Sequence, residues 1–162
     1  MLIAITGTPG TGKTALAREL SLLLHMPVLD VNKLIKERRL YDGYDWKRAC
    51  YVVKPSKLVK ELLKVRKTAK KGLIVDSHLS HFLPSQAVGL CVVAKCGLKT
   101  LKKRLVKRGY SPAKVRENLD SEIFDICLNE AVDAGHNIAV VDTTSASAKN
   151  LAKSIAKQLK KR

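Results

Sequence analysis

Apolar residues recur along this chain in two rhythms. Short unbroken runs stand at residues 2–6 (LIAIT), Val28-Leu29, Leu73-Ile74-Val75, 89–94 (GLCVVA) and Ile138 to Val141. Runs this short, apolar at every position rather than at every second one, predict strands buried on both faces. That is the signature of a parallel sheet wrapped by helices. Between them, apolar residues return every three or four positions. Leu16, Leu20, Leu23 and Leu24 follow Lys13; Leu58, Leu62 and Val65 follow Pro55; Leu151, Ile155 and Leu159 close the chain. Ser111-Pro112 is a helix start, a cap followed by proline in the first turn. From it Val115, Leu119, Ile123 and Ile126 predict one helix running to Gly135. Residues 31–39 predict a short helix and 98–108 a basic one. Residues 40–54 (LYDGYDWKRACYVVK) predict a loop, with Asp42-Gly43 as its turn. The alternation predicts one α/β domain over residues 1–162: a five-stranded parallel sheet flanked by helices, without repeats or linkers.

Charge changes the picture. The 162 residues carry 31 Lys and Arg against 14 Asp and Glu, a formal net charge of +17. Such a balance points to polyanionic company (nucleotide, RNA or ribosome) or to a solvated basic surface. Residues 54–71 hold eight Lys or Arg against Glu61, and the tail from Lys149 holds six with no acid. Aromatics are 4% of the chain, too few for a base-stacking RNA module, which leaves contact along a nucleic-acid backbone open. The apolar runs fall far short of the ~18 residues of a membrane span, so no membrane role is expected. Cys50, Cys91, Cys96 and Cys127 form no C-x-x-C pair, which argues against zinc and against a disulfide framework. The start lacks the charged region and cleavage site of a leader. A reducing cytoplasm is the expected setting.

Gly7-Thr8-Pro9-Gly10-Thr11-Gly12-Lys13-Thr14 matches G-x-x-x-x-G-K-[ST], between a predicted strand and a predicted helix. Glycines let backbone N–H groups curl around a phosphate, and the helix directs its positive end at the same anion. In such a loop Lys13 neutralises the outer phosphates and Thr14 offers its hydroxyl to Mg²⁺. Asp76 ends the strand before it, where an acid holds the metal directly or through water. Asp30 also ends a strand, either to bind substrate or to cap the helix at 31. His78 and His81 follow Asp76. Either is a candidate for orienting water or phosphate, or for a plain hydrogen bond in the turn. From Lys95 to Arg116 there are nine Lys or Arg and no acid. Spacing of four places Arg104 and Arg108 on one helix face. Arg108, just before Gly109, is the candidate clamp on the transferred phosphoryl group, within a segment 107–117 able to close as a lid.

Together, ITGTPGTGKT (5–14), LYDGYD (40–45), VDSHLSHFLP (75–84), KRGYSPAKVREN (107–118) and EIFDICLNEA (122–131) resemble the adenylate kinase isoenzyme-six type family. These are small P-loop kinases and ATPases of the nucleoside-monophosphate kinase type, and the resemblance runs from residue 2 to about 145. It implies that Gly10, Thr11, Gly12, Lys13, Thr14 and Ala15 line the ATP phosphates with Arg108. It implies that residues 30–53, with Asp30, Lys36 and Arg38, form the AMP-binding insertion. Asp76 and His78 match the metal-linked acid and its neighbouring histidine, and Lys13, Arg108, Asp76 and His78 are the implied catalytic set. His81 stands where eukaryotic members tend to have an acid. Lys36 stands where an arginine is expected, leaving Arg38 or Arg39 to supply a fork. The resemblance further implies a role in small ribosomal subunit maturation, through a platform ribosomal protein and pre-rRNA. A monomer or weak dimer is expected.

The expected reaction is Mg-dependent transfer from ATP to AMP. The AMP phosphate is already anionic, so positioning and charge neutralisation suffice. Three rivals remain at this level. One is an ATPase switch in ribosome assembly. Another is a hydroxyl kinase of the shikimate kinase sort, with Asp30 as base. The last is a pure RNA-binding protein, which the intact phosphate loop disfavours.

Overall fold

The computed structural model describes residues 1–46 and 48–160. In chain order the strands are β1 (Leu2–Thr6), β2 (Val28–Asp30), β3 (Gly43–Asp45), β4 (Cys50–Val52), β5 (Leu73–Asp76), β6 (Leu90–Lys95) and β7 (Ile138–Asp142). The helices are α1 (Lys13–Leu24), α2 (Val31–Glu37), α3 (Pro55–Thr68), α4 (Leu98–Lys107), α5 (Pro112–Ile123), α6 (Ile126–Asp133) and α7 (Ala148–Lys160). All five predicted strands form one sheet in the order β2-β5-β1-β6-β7, every neighbouring pair parallel.

Burial explains the unbroken apolar runs. Every residue of β1 is buried, and its side chains alternate between two cores. Leu2 and Ala4 face a core with Leu34, Leu58, Leu62 and Val75, under α2 and α3. Ile3 and Ile5 face another with Leu16, Leu20, Ile74 and Ile155, under α1 and α7. A smaller cluster of Cys96, Leu101, Leu105 and Val115 ties α4 to α5. Along the sheet, Ile5 pairs with Asp76 and Asp30 with Asp76. This register brings the C-terminal ends of β1, β5 and β2 level. Loops there converge on one edge, where open α/β sheets bind their ligands.

Three local expectations change. Residues 40–54 contain an antiparallel hairpin, β3 against β4, with Tyr44 opposite Tyr51. Tyr51 packs against Tyr41, with ring centroids 4.4 Å apart, and Tyr44 against Trp46 at 4.8 Å. The hairpin is held by aromatic pairs near the surface, so it carries no buried stripe for a pattern to reveal. The helix expected from Ser111 to Gly135 is two helices. Asp125 adopts a left-handed conformation (φ 51°) that breaks it, and its carboxylate pairs with Lys95. Ile123 and Ile126 are consequently exposed, outside the stripe they continue in sequence. In α1, Leu16 and Leu20 are buried while Leu23 lies exposed.

Candidate active site

The site is built on the turn between β1 and α1. Gly7 has φ 134°, and a Cβ there would stand 2.3 Å from the Ala94 carbonyl oxygen. Only glycine lets the loop pass so close to β6. The turn is closed internally, because the Thr8 carbonyl accepts from Thr11 N (3.2 Å) and Thr11 Oγ1 (2.8 Å). Gly12 (φ 87°) caps α1 without a side-chain acceptor. The N–H groups of the first turn are thus unclaimed by a cap and available to an anion.

Lys13 is buried and folds back over this loop. Its Nζ donates to Gly7 O (2.7 Å) and Thr8 O (3.0 Å). Burial lowers its pKa to about 8, with Arg108 adding to the fall and Asp76, Cys127 and Glu122 opposing it. Arg108 therefore lies within electrostatic reach of Lys13, although it sits exposed at the end of α4. Gly109 follows with φ 74° and open space around it. Thr14 Oγ1 donates to Asp76 Oδ2 at 2.6 Å. Desolvation raises the Asp76 pKa, against the Thr14 hydrogen bond and the Lys13 charge. A hydroxyl and a carboxylate brought together at the phosphate loop are the hard oxygen donors that Mg²⁺ selects, so these residues fit that ion.

His78 stands at the solvent-facing rim of the loop, where partial desolvation of its ring, then Lys13, His81 and Lys114, lower its pKa. It is a neutral imidazole at physiological pH. His81 plays another part. It is buried, with Nδ1 2.6 Å from Thr6 Oγ1 and Nε2 2.8 Å from Glu130 Oε2, the latter off-line for a hydrogen bond. It braces the turn after Asp76 against β1 and α6.

The acceptor-side candidates are more dispersed. Asp30 Oδ1 accepts from Lys33 N at 3.1 Å, so its carboxylate caps α2, and it touches the centre only through its charge on Asp76. Arg38 turns to α3, where Glu61 holds it at 2.9 Å. Lys36 lies 5.9 Å from the Tyr51 ring centroid, over the hairpin. On the other side of the loop, Gly12, Ala15, Arg104, Thr143 and Ala146 line an open cleft with about 360 Å³ of empty space. Arg104 is fixed there by Thr143 O (2.9 Å) and Thr143 Oγ1 (3.2 Å). Arg116, in contrast, pairs with Asp120 in solvent.

The family model described as an AAA domain matches residues 3–125. A Dictyostelium discoideum protein named adenylate kinase isoenzyme 6 homolog is 37% identical over 143 residues, 88% of this chain and 81% of its own. A Methanocaldococcus jannaschii protein is 37% identical over 160 residues, 99% of this chain and 86% of its own. The chain belongs to the adenylate kinase isoenzyme 6 family. Among solved structures, a shikimate kinase from Acinetobacter baumannii in complex with shikimate superposes with a TM-score of 0.66 at 18% identity. That match covers 98% of this chain and 92% of the other, and it bears on the fold alone.

As a member of the adenylate kinase isoenzyme 6 family, the protein is a P-loop phosphotransferase of the nucleotide kinase type. Gly10, Thr11, Gly12, Lys13, Thr14, Ala15 and Asp76 lie together at the phosphate loop, with His78 and Arg108 at its rim. Sequence reasoning missed Thr143, which follows β7 in no recognisable motif, and Glu122. Glu122 opens the segment EIFDICLNEA, but nothing in that segment marks its side chain as reaching the phosphate loop.

Proposed function

We propose that the protein is an adenylate kinase, catalysing reversible transfer of the ATP γ-phosphoryl group to AMP. The observation that carries the choice of acceptor is the state of the two strand-end carboxylates. Asp30 is engaged as the cap of α2, and Asp76 takes the Thr14 hydroxyl. Each already serves as a structural acceptor through one oxygen, which makes it a weaker base for a hydroxyl acceptor. A phosphate acceptor is anionic beforehand and needs none.

In this reading the loop N–H groups and Lys13 hold the ATP phosphates. Lys13 exchanges its carbonyl partners for phosphate oxygens. Arg108 swings in about Gly109 and neutralises charge on the transferred group. Thr14 and Asp76 would hold Mg²⁺, which when bound screens the phosphate charges. Neutral His78 donates or accepts a hydrogen bond at the rim without adding charge. The hairpin β3–β4, with Lys36, forms the wall against which AMP is placed. Closure excludes water and limits hydrolysis.

A second reading, an ATPase switch that releases a ribosomal protein or pre-rRNA during small-subunit maturation, is favoured by the +17 charge. Phosphoryl transfer from Mg-ATP to AMP, other monophosphates, shikimate or no acceptor separates the readings. ADP formation that requires AMP supports the kinase. Acceptor-independent hydrolysis stimulated by RNA or ribosomal protein supports the switch.

A further inference from the structure

Glu122 is a buried carboxylate near the end of α5, with 8% of its surface exposed. No cation stands within ion-pair distance of it among the described residues. Its neighbour Lys95 is taken by Asp125. Two hydrogen bonds stand in for a cation. Thr8 Oγ1 donates to Oε2 at 2.6 Å, and Cys96 N donates to Oε1 at 2.8 Å. A buried, unpaired carboxylate is costly, and hydrogen bonds to it are correspondingly strong and directional.

Thr8 is the hub of the phosphate loop. Its side chain is given to Glu122, while its carbonyl accepts from Lys13 Nζ, Thr11 N and Thr11 Oγ1. The opposite end of α5 meets the hairpin. Lys114 Nζ donates to Arg48 O at 2.6 Å, and Glu117 pairs with Arg48 at 2.9 Å. One helix of 12 residues thus touches the hairpin at its start and the phosphate loop near its end.

We propose that Glu122 is a positioning residue, which through Thr8 sets the placement of Lys13 and ties the phosphate loop to the helix that meets the hairpin. Glu122 touches no substrate. It acts by holding Thr8, which with Gly7 supplies the two carbonyls that hold Lys13. The inference deepens the kinase reading and rests on it for the meaning of the hairpin, while the link to the phosphate loop stands apart from the acceptor's identity.

The test is a double-mutant cycle with Glu122→Ala, Thr8→Val and the pair, read by affinity for the magnesium complex of ATPγS and by kcat and KM for AMP. Thr8→Ser serves as the conservative variant, and thermal unfolding monitors the fold. Each single change is expected to lower kcat about tenfold and to weaken ATPγS binding, with KM for AMP within about twofold. The pair should lose no more than about twofold beyond either single change, because both break the same link. Thr8→Ser should restore near-normal values, since it keeps the hydroxyl. Multiplicative losses in the pair, a single variant with full turnover, or Thr8→Ser as impaired as Thr8→Val would each overturn the proposal. If Glu122→Ala does not fold, the contrast of valine with serine at position 8 decides alone. If the wild type transfers nothing to AMP, the kinase reading fails, and ATPγS affinity still reads the link.

Discussion

Lys13 carries the largest conflict between stability and function. Its ammonium is held among protein atoms that lower its pKa from 10.5 to about 8. At neutral pH the charged form is therefore a burden on the fold. Between pH 8 and 10.5 the unfolded chain binds more protons at this site than the folded one, so its contribution to stability rises with pH across that window. Lys13→Met should abolish phosphoryl transfer and yet raise stability at pH 7 by about 1–3 kcal/mol. Urea unfolding at pH 7 and at pH 10 checks both halves, since the gain should shrink toward the higher pH. Equal or lower stability at pH 7 would mean that the carbonyls of Gly7 and Thr8 fully compensate the buried charge. Gly7 is limited by space instead. A methyl group there meets the Ala94 carbonyl at 2.3 Å, whereas one at Gly43 meets nothing within 4 Å. Gly7→Ala should lose nucleotide binding, and Gly43→Ala should bind normally in the same titration.

Among the elements, the hairpin β3–β4 is the one whose removal should separate the two substrates. Tyr51 packs on Tyr44 across the hairpin and joins it to Tyr41 and the Lys36 ammonium. Tyr51→Ala is expected to raise KM for AMP about tenfold or more while leaving affinity for ATPγS within twofold. Equal losses on both substrates would show that the hairpin acts on the fold as a whole. This hairpin was illegible in the sequence, because its pairing rests on exposed aromatics rather than on a buried alternating stripe. The sheet was legible for the opposite reason. Strands buried on both faces are apolar up to their last residue, and β1, β5 and β6 stand out at once. The phosphate loop was legible because its chemistry is local in sequence, eight consecutive residues folding on themselves. The break at Asp125 was hidden by a stripe that runs on unbroken through Ile123 and Ile126. Asp30 caps α2, one of the two roles its place at a strand end offered, whereas the contacts of Arg38 and Glu122 were hidden. Their partners, Glu61 and Thr8, lie far away in sequence, and neither is marked by any pattern.

Over the whole molecule, the fold gathers its functional groups at the C-terminal edge of a parallel sheet in a chain of strong net positive charge. A net charge of +17 favours anionic substrates before any contact is made, and it does so for AMP, ATP and RNA alike. Charge thus leaves room for an RNA-linked switch beside a kinase, whereas the engagement of Asp30 and Asp76 bears on the choice between a phosphate and a hydroxyl acceptor. The central claim is transfer to AMP, and the most direct measurement follows the γ-phosphoryl group of labelled Mg-ATP in the presence and absence of AMP, with Lys13→Ala as the blank. The account predicts that label appears in ADP made from AMP, that little appears as free phosphate, and that the blank shows neither. Label released as phosphate at the same rate with and without AMP would contradict it.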